Sequence, residues 1–69
     1  MKYCRTIFIE FHTLNLVEHF NFETGEFIQT LTYQKDHDYI TLSIKYQDGS
    51  SREIAIPRER VISLSVVYV

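Results

Sequence analysis

Residues able to do chemistry are few in this chain of 69 residues, and they fall in three places. Cys4, Glu10 and His12 occupy even positions of one apolar-rich run, so an uninterrupted strand would turn all three to one side. Glu10 and His12, adjacent on that side, offer oxygen and imidazole donors suited to a borderline cation such as zinc. A structural zinc site needs four ligands, and the chain has neither Cys-x-x-Cys nor His-x-x-x-His. The trio therefore reads as a wet strand face with a partly buried thiol. Asp36-His37-Asp38 puts three donors in one loop, without the glycine and the distal bidentate Glu of a calcium loop. It reads as a solvated turn in which Asp38 accepts a local backbone hydrogen bond. Lys45, Arg52, Arg58 and Arg60 form the only local basic group. Beside exposed aromatics such a group could grip single-stranded nucleic acid; Tyr39, Tyr46 and Tyr68 are the candidates, although Tyr46 and Tyr68 have core parity. The plainer reading is that these cations keep an exposed hairpin soluble and its edge unpaired.

Nucleophilic catalysis needs a nucleophile, a base within hydrogen-bond reach and an oxyanion hole. Cys4 and the three histidines supply the first two in principle, but no Gly-x-Ser-x-Gly elbow occurs. Both glycines, Gly25 and Gly49, are needed for turns, and a small meander offers no deep pocket to shield a reaction from water. The expectation is a protein without catalytic residues, cofactor or metal.

The elements that must position these groups are clearest over residues 39–69. Ile40, Leu42, Ile44 and Tyr46 alternate with Thr41, Ser43 and Lys45, the period of a half-buried strand. Asp48-Gly49 reverses the chain into a strand carrying Ile54 and Ile56, which Pro57 ends because it has no N–H for a ladder. A two-residue loop would set Ser43 against Ile54 and Ile44 against Glu53. A three-residue loop, Gln47-Asp48-Gly49, pairs Leu42 with Ile54 and Ile40 with Ile56, and gives Gly49 the left-handed position. The three-residue loop is expected. It leaves Arg52 opposite Ile44, with its stem across Tyr46. Residues 57–60 suffice for about one helical turn. Ile62, Leu64, Val66 and Tyr68 then restart the alternation, with Val61, Val67 and Val69 on the other face.

The first half is read with less contrast. Strands are expected over about 3–11, 16–22 and 27–33, with reversals at His12–Asn15 and Glu23–Glu26 and a polar loop over 34–38. Leu14, Val17 and Glu18 have helical spacing, but a helix would hold Phe20 and Phe22 about 200° apart on its surface, which favours a strand. The fold class is all-β: a small antiparallel meander or SH3-like barrel of five to six strands, in one domain, with a short helical turn near residues 57–60.

Composition narrows the function classes. Net charge is −2, divided as −3 over residues 1–38 and +1 over 39–69, so neither half is a polyelectrolyte. Five Phe and five Tyr against two Gly and one Pro argue against disorder. No apolar run approaches the ~20 residues of a membrane span, and Glu10 and His12 interrupt the N-terminal stretch, so neither a span nor a signal peptide is expected. The single cysteine forbids an internal disulfide and suits a reducing, cytoplasmic compartment. A core this small returns little above the entropy it must offset, which leaves self-association as the means of support. A homo-oligomer is expected, with Val61, Val67 and Val69 in the seam. The leading expectation is a non-enzymatic binding module that associates with itself and with another protein. Phages and mobile elements use such sparse chains to inhibit or retune host proteins. The alternative is a nucleic-acid-binding barrel using Lys45, Arg52, Arg58 and Arg60.

Overall fold

A computed structural model describes residues 2–69, and within them alternation becomes strand wherever the sequence carries it. Six strands form: β1 (Cys4–Thr13), β2 (Leu16–Glu23), β3 (Ile28–Lys35), β4 (Tyr39–Tyr46), β5 (Ser51–Pro57) and β6 (Val61–Tyr68). The only helical element among the described residues is a 3-10 turn, Arg58–Arg60. All ladders are antiparallel, and they make two three-stranded sheets ordered β2-β1-β6 and β3-β4-β5. No ladder joins the sheets, so the chain is a meander in two layers, not a closed barrel.

The hairpin register is the one the three-residue loop demands. Leu42 faces Ile54, Ile40 faces Ile56 and Ile44 faces Arg52. Gly49 takes φ of +92°, where side-chain-bearing residues are strained, and its N–H reaches the Tyr46 carbonyl at 3.1 Å. Residues 14–15 turn β1 into β2, setting Ile9 against Phe20 and Ile7 against Phe22. Residues 16–20 are thus strand. The segment after Glu23 departs from expectation: it is not a hairpin turn, because β2 and β3 lie in different sheets. Thr24 instead donates to the Arg5 carbonyl at 2.9 Å, and Gln47 donates to the Phe27 carbonyl at 2.9 Å, so this loop ties the layers together.

Ile7, Ile9, Leu31 and Leu42 are wholly inaccessible and, with Ile40, Ile44 and Ile56, form the shared core. Burying each such side chain is worth about 1.5–3 kcal/mol. Two irregularities in the β1–β6 ladder change which residues reach this core. One falls between Cys4 and Thr6, the other opposite Glu10 and Phe11. An extra residue in a strand flips the parity beyond it. Cys4 is consequently buried with Ile7 and Ile9, parted from Glu10 and His12. At the other irregularity Ile62 turns outward, 46% exposed, and Val61 packs against the core. The expectation of one face for Val61, Val67 and Val69 is corrected here: Val67 and Val69 are exposed, Val61 is not.

Candidate functional site

Backbone chemistry at the surface is concentrated at sheet edges. β2 and β6 flank one sheet, β3 and β5 the other. Between β2 and β5 runs an open groove of about 420 Å3 lined by Phe11, Phe20, Ile54, Ile56 and, at its ends, Glu18 and Arg60. Phe20 stacks on Phe11 and Phe22, with centroids 5.6 and 5.5 Å away. The Arg52 guanidinium lies over the Phe20 ring at 5.8 Å, so its expected rest across Tyr46 is replaced by a cation–π contact across the gap between sheets. Strand parity in the sequence puts Phe20 on one side with Leu16 and Phe22; the partner across the groove it does not reveal. Only knowing that β2 flanks β5 brings Phe20 to Ile54 and Ile56.

The second junction joins β3 to β6. The hydroxyls of Tyr33 and Tyr68 are 2.9 Å apart, and that bond, helped by burial, raises the Tyr33 pKa above its ordinary value. Lys2 Nζ sits 5.2 Å from the Tyr68 ring centroid. Tyr3 and Val69 lie alongside, both exposed, so aromatic and apolar surface gathers at this end of the molecule.

The basic residues are not brought together. Lys45 and Arg52 border a shallow cleft on the outer face of β3-β4-β5, with Thr30, Thr32, Ser43 and Glu53. Arg58 and Arg60 line a different cleft, with His37, Asp38, Tyr39 and Glu59. In that second cleft Arg58 is committed to structure: its Nη1 donates to the Asp36 carbonyl at 2.9 Å and its backbone N–H to the Asp38 carbonyl at 2.9 Å. Each cleft carries carboxylates beside its cations, which weakens it as a phosphate track.

The loop carboxylates have structural duties as well. Asp36, not Asp38, closes the Asp36-His37-Asp38 turn, its Oδ1 accepting from the backbone N–H of Tyr39 at 2.7 Å and of Asp38 at 2.9 Å. Those two bonds hold its pKa below the usual carboxylate range. Asp48 accepts from the hydroxyl and the N–H of Ser50, which lower its pKa in the same order. On the outer face of β1, Glu10 faces His19 across the ladder, but the His19 ring is stacked on Phe8 at 5.6 Å. Among the described residues no group of three or more His, Cys, Asp or Glu side chains is placed to hold a metal. Burial pushes the Cys4 thiol pKa up, away from the thiolate a nucleophile requires. No helix of the described residues is long and apolar enough to cross a membrane.

Comparison with known proteins returned no match to a family model, to a curated protein or to a solved structure.

Proposed function

We propose that this protein is a non-enzymatic binding module that associates with itself and presents an apolar surface to another protein. The observation that supports this reading best is the groove between β2 and β5, where Phe11, Phe20, Ile54 and Ile56 form an apolar floor between two sheet edges without ladder partners. Sheet edges of this kind take up an extended segment through backbone hydrogen bonds, while floor pockets select its side chains. Action on a host protein, as phage and mobile-element regulators act, belongs to the same reading and rests on the chain's small size. Its place of action is the cytoplasm, in keeping with the lone buried thiol.

The test is affinity capture from native cells with the parent and with Phe20→Glu, each first checked for folding by circular dichroism. A protein held by the parent through high salt and lost by Phe20→Glu supports the groove. Equal capture by both removes it.

The second reading, nucleic-acid binding, draws on the cleft where Tyr39, 46% exposed, stands with Arg58 and Arg60. Gel-shift titration of a single-stranded oligonucleotide separates the two readings, because phosphate contacts fall steeply with salt. Retention that is insensitive to salt and to Arg60→Glu rules the cleft out.

A further inference from the structure

β6 is an edge strand without the charges or prolines that keep edges apart. It pairs only with β1, and its sequence, Val-Ile-Ser-Leu-Ser-Val-Val-Tyr, contains no charge, proline or glycine. Natural edge strands are protected by lysines, prolines, bulges or a covering element. Here the two irregularities of the ladder lie at its ends, one at Ile62 and one between Val67 and Tyr68, and leave Ser63–Val67 regular.

The exposure of its side chains has a symmetry of its own. About Ser65 the pattern from Ile62 to Tyr68 reads the same in both directions: exposed, exposed, half-buried, exposed, half-buried, exposed, exposed. Two copies of β6 laid antiparallel with Ser65 on the two-fold axis therefore match from Ser63 to Val67, the stretch between the two irregularities of the ladder. Leu64 meets the partner's Val66, half-buried against half-buried. Ser63 meets the partner's Val67. Moving the axis to Leu64 sets half-buried Val61 against exposed Val67 and brings Arg60 beside Tyr68. Moving it to Val66 sets half-buried Leu64 against exposed Tyr68 and shortens the overlap. Shifts by half a step put opposite faces of the sheet together.

We infer that a second copy of this chain docks on β6, antiparallel and with Ser65 at the two-fold axis, fusing two three-stranded sheets into one of six strands. Such an isologous contact satisfies the free backbone groups of both edges at once and closes after two subunits. It rests on the self-association half of the proposed function, and it is independent of the groove between β2 and β5. The seam expected at Val61, Val67 and Val69 lies in this reading at the edge itself, with Leu64, Ser65 and Val66 at its centre.

Charge introduced at the axis tests this without disturbing the fold, because Ser65 is exposed. Ser65→Asp places two carboxylates directly opposite each other, and Ser65→Lys does the same with two ammonium groups. Each variant is expected to weaken the dimer roughly tenfold or more in analytical ultracentrifugation, since juxtaposed like charges are strongly repelled. An equimolar mixture of the two is expected to restore it as a heterodimer, which native mass spectrometry resolves. Ser65→Cys should also cross-link under mild oxidant, since paired Cα atoms about 4.5–5.5 Å apart fall within disulfide range. Ser63→Cys, four residues out of register with its own mate, should not. A monomeric parent at high concentration overturns the inference. So does an oligomeric parent in which both charged variants assemble unchanged, or in which Ser63→Cys links as readily as Ser65→Cys. A parent that captures no other protein yet passes these tests leaves the dimer standing and removes only the groove.

Discussion

Leu42→Asp puts the two-layer architecture to its most direct trial. Leu42 lies on β4, the central strand of its sheet, wholly inaccessible, with Tyr33 and Ile54 as cross-strand neighbours. Truncation of such a side chain to Ala costs about 2–5 kcal/mol. A carboxyl group with no donor at hand adds about 1–3 kcal/mol even when it stays neutral. A domain of this length holds roughly 3–10 kcal/mol in total, at about 0.05–0.15 kcal/mol per residue. The perturbation is therefore comparable to the whole stability, and Leu42→Asp is expected to be largely unfolded at pH 7. Thr41→Asp and Ser43→Asp sit one residue away on the opposite, half-buried face, where water reaches the carboxylate, and they should remain folded. The sign of the pH dependence is fixed as well. Burial raises the folded-state pKa of the introduced Asp above its unfolded value of about 3.9. Its neutral form is then favoured by folding, so the variant regains stability as pH falls toward that value, by up to about 1.4 kcal/mol per pH unit. Urea unfolding followed by circular dichroism at pH 7 and near pH 4.5 measures both effects. A midpoint for Leu42→Asp equal to those of Thr41→Asp and Ser43→Asp would refute the assignment of faces on β4.

Gly49→Val should destabilise by about 1–3 kcal/mol through backbone strain, because φ is +92° while an added Cβ would meet nothing within 4 Å beyond its chain neighbours. A urea midpoint equal to the parent's counts against the left-handed turn. The bond between the Tyr33 and Tyr68 hydroxyls favours the protonated form of Tyr33, so its contribution is complete below about pH 10 and fades as pH rises through the raised pKa. Tyr68→Phe should bring the Tyr33 titration, read by ultraviolet absorbance, back toward its ordinary value; an unchanged curve contradicts the pairing. Asp36 and Asp48 act in the opposite sense: their depressed pKa values stabilise the fold above the ordinary carboxylate range, and that support goes as pH falls through the lowered values. Asp36→Asn with Asp48→Asn should therefore flatten the acid limb of a stability profile, and a limb as steep as the parent's would show that other carboxylates govern it. Far-ultraviolet circular dichroism should lack a helical double minimum, since only Arg58–Arg60 is helical among the described residues.

Local pattern determined much of this protein. The alternation through Ile40, Leu42 and Ile44 fixed the buried face of β4, because a strand has a period of two and only one face of this sheet is covered. Asp48-Gly49 fixed a three-residue loop, since a two-residue loop would have set Ile44 against Glu53 and Ser43 against Ile54. Pro57 fixed where β5 ends, for want of an N–H. The candidate groups yielded less. Arg58 looked free in the sequence and is spent on the Asp36 carbonyl, while Asp36 took the capping role expected of Asp38. Such pairings depend on which loop ends up beside which, and spacing along the chain does not carry that.

Three matters were decided only in three dimensions. Parity carries a face assignment only until a ladder slips, and slippage near Arg5 and Ile62 arises from the fit between β1 and β6. That fit buried Cys4, turned Ile62 out and brought Val61 in. The division into two sheets was equally invisible, because the Glu23–Glu26 segment has hairpin composition whether or not the strands it joins are paired. Lastly, a groove between β2 and β5 exists because two sheets meet without a ladder, so Phe20 and Ile54, far apart in sequence, share one surface. Period and turn chemistry act over a few residues and are written in the sequence; which edges stay open depends on how whole sheets pack.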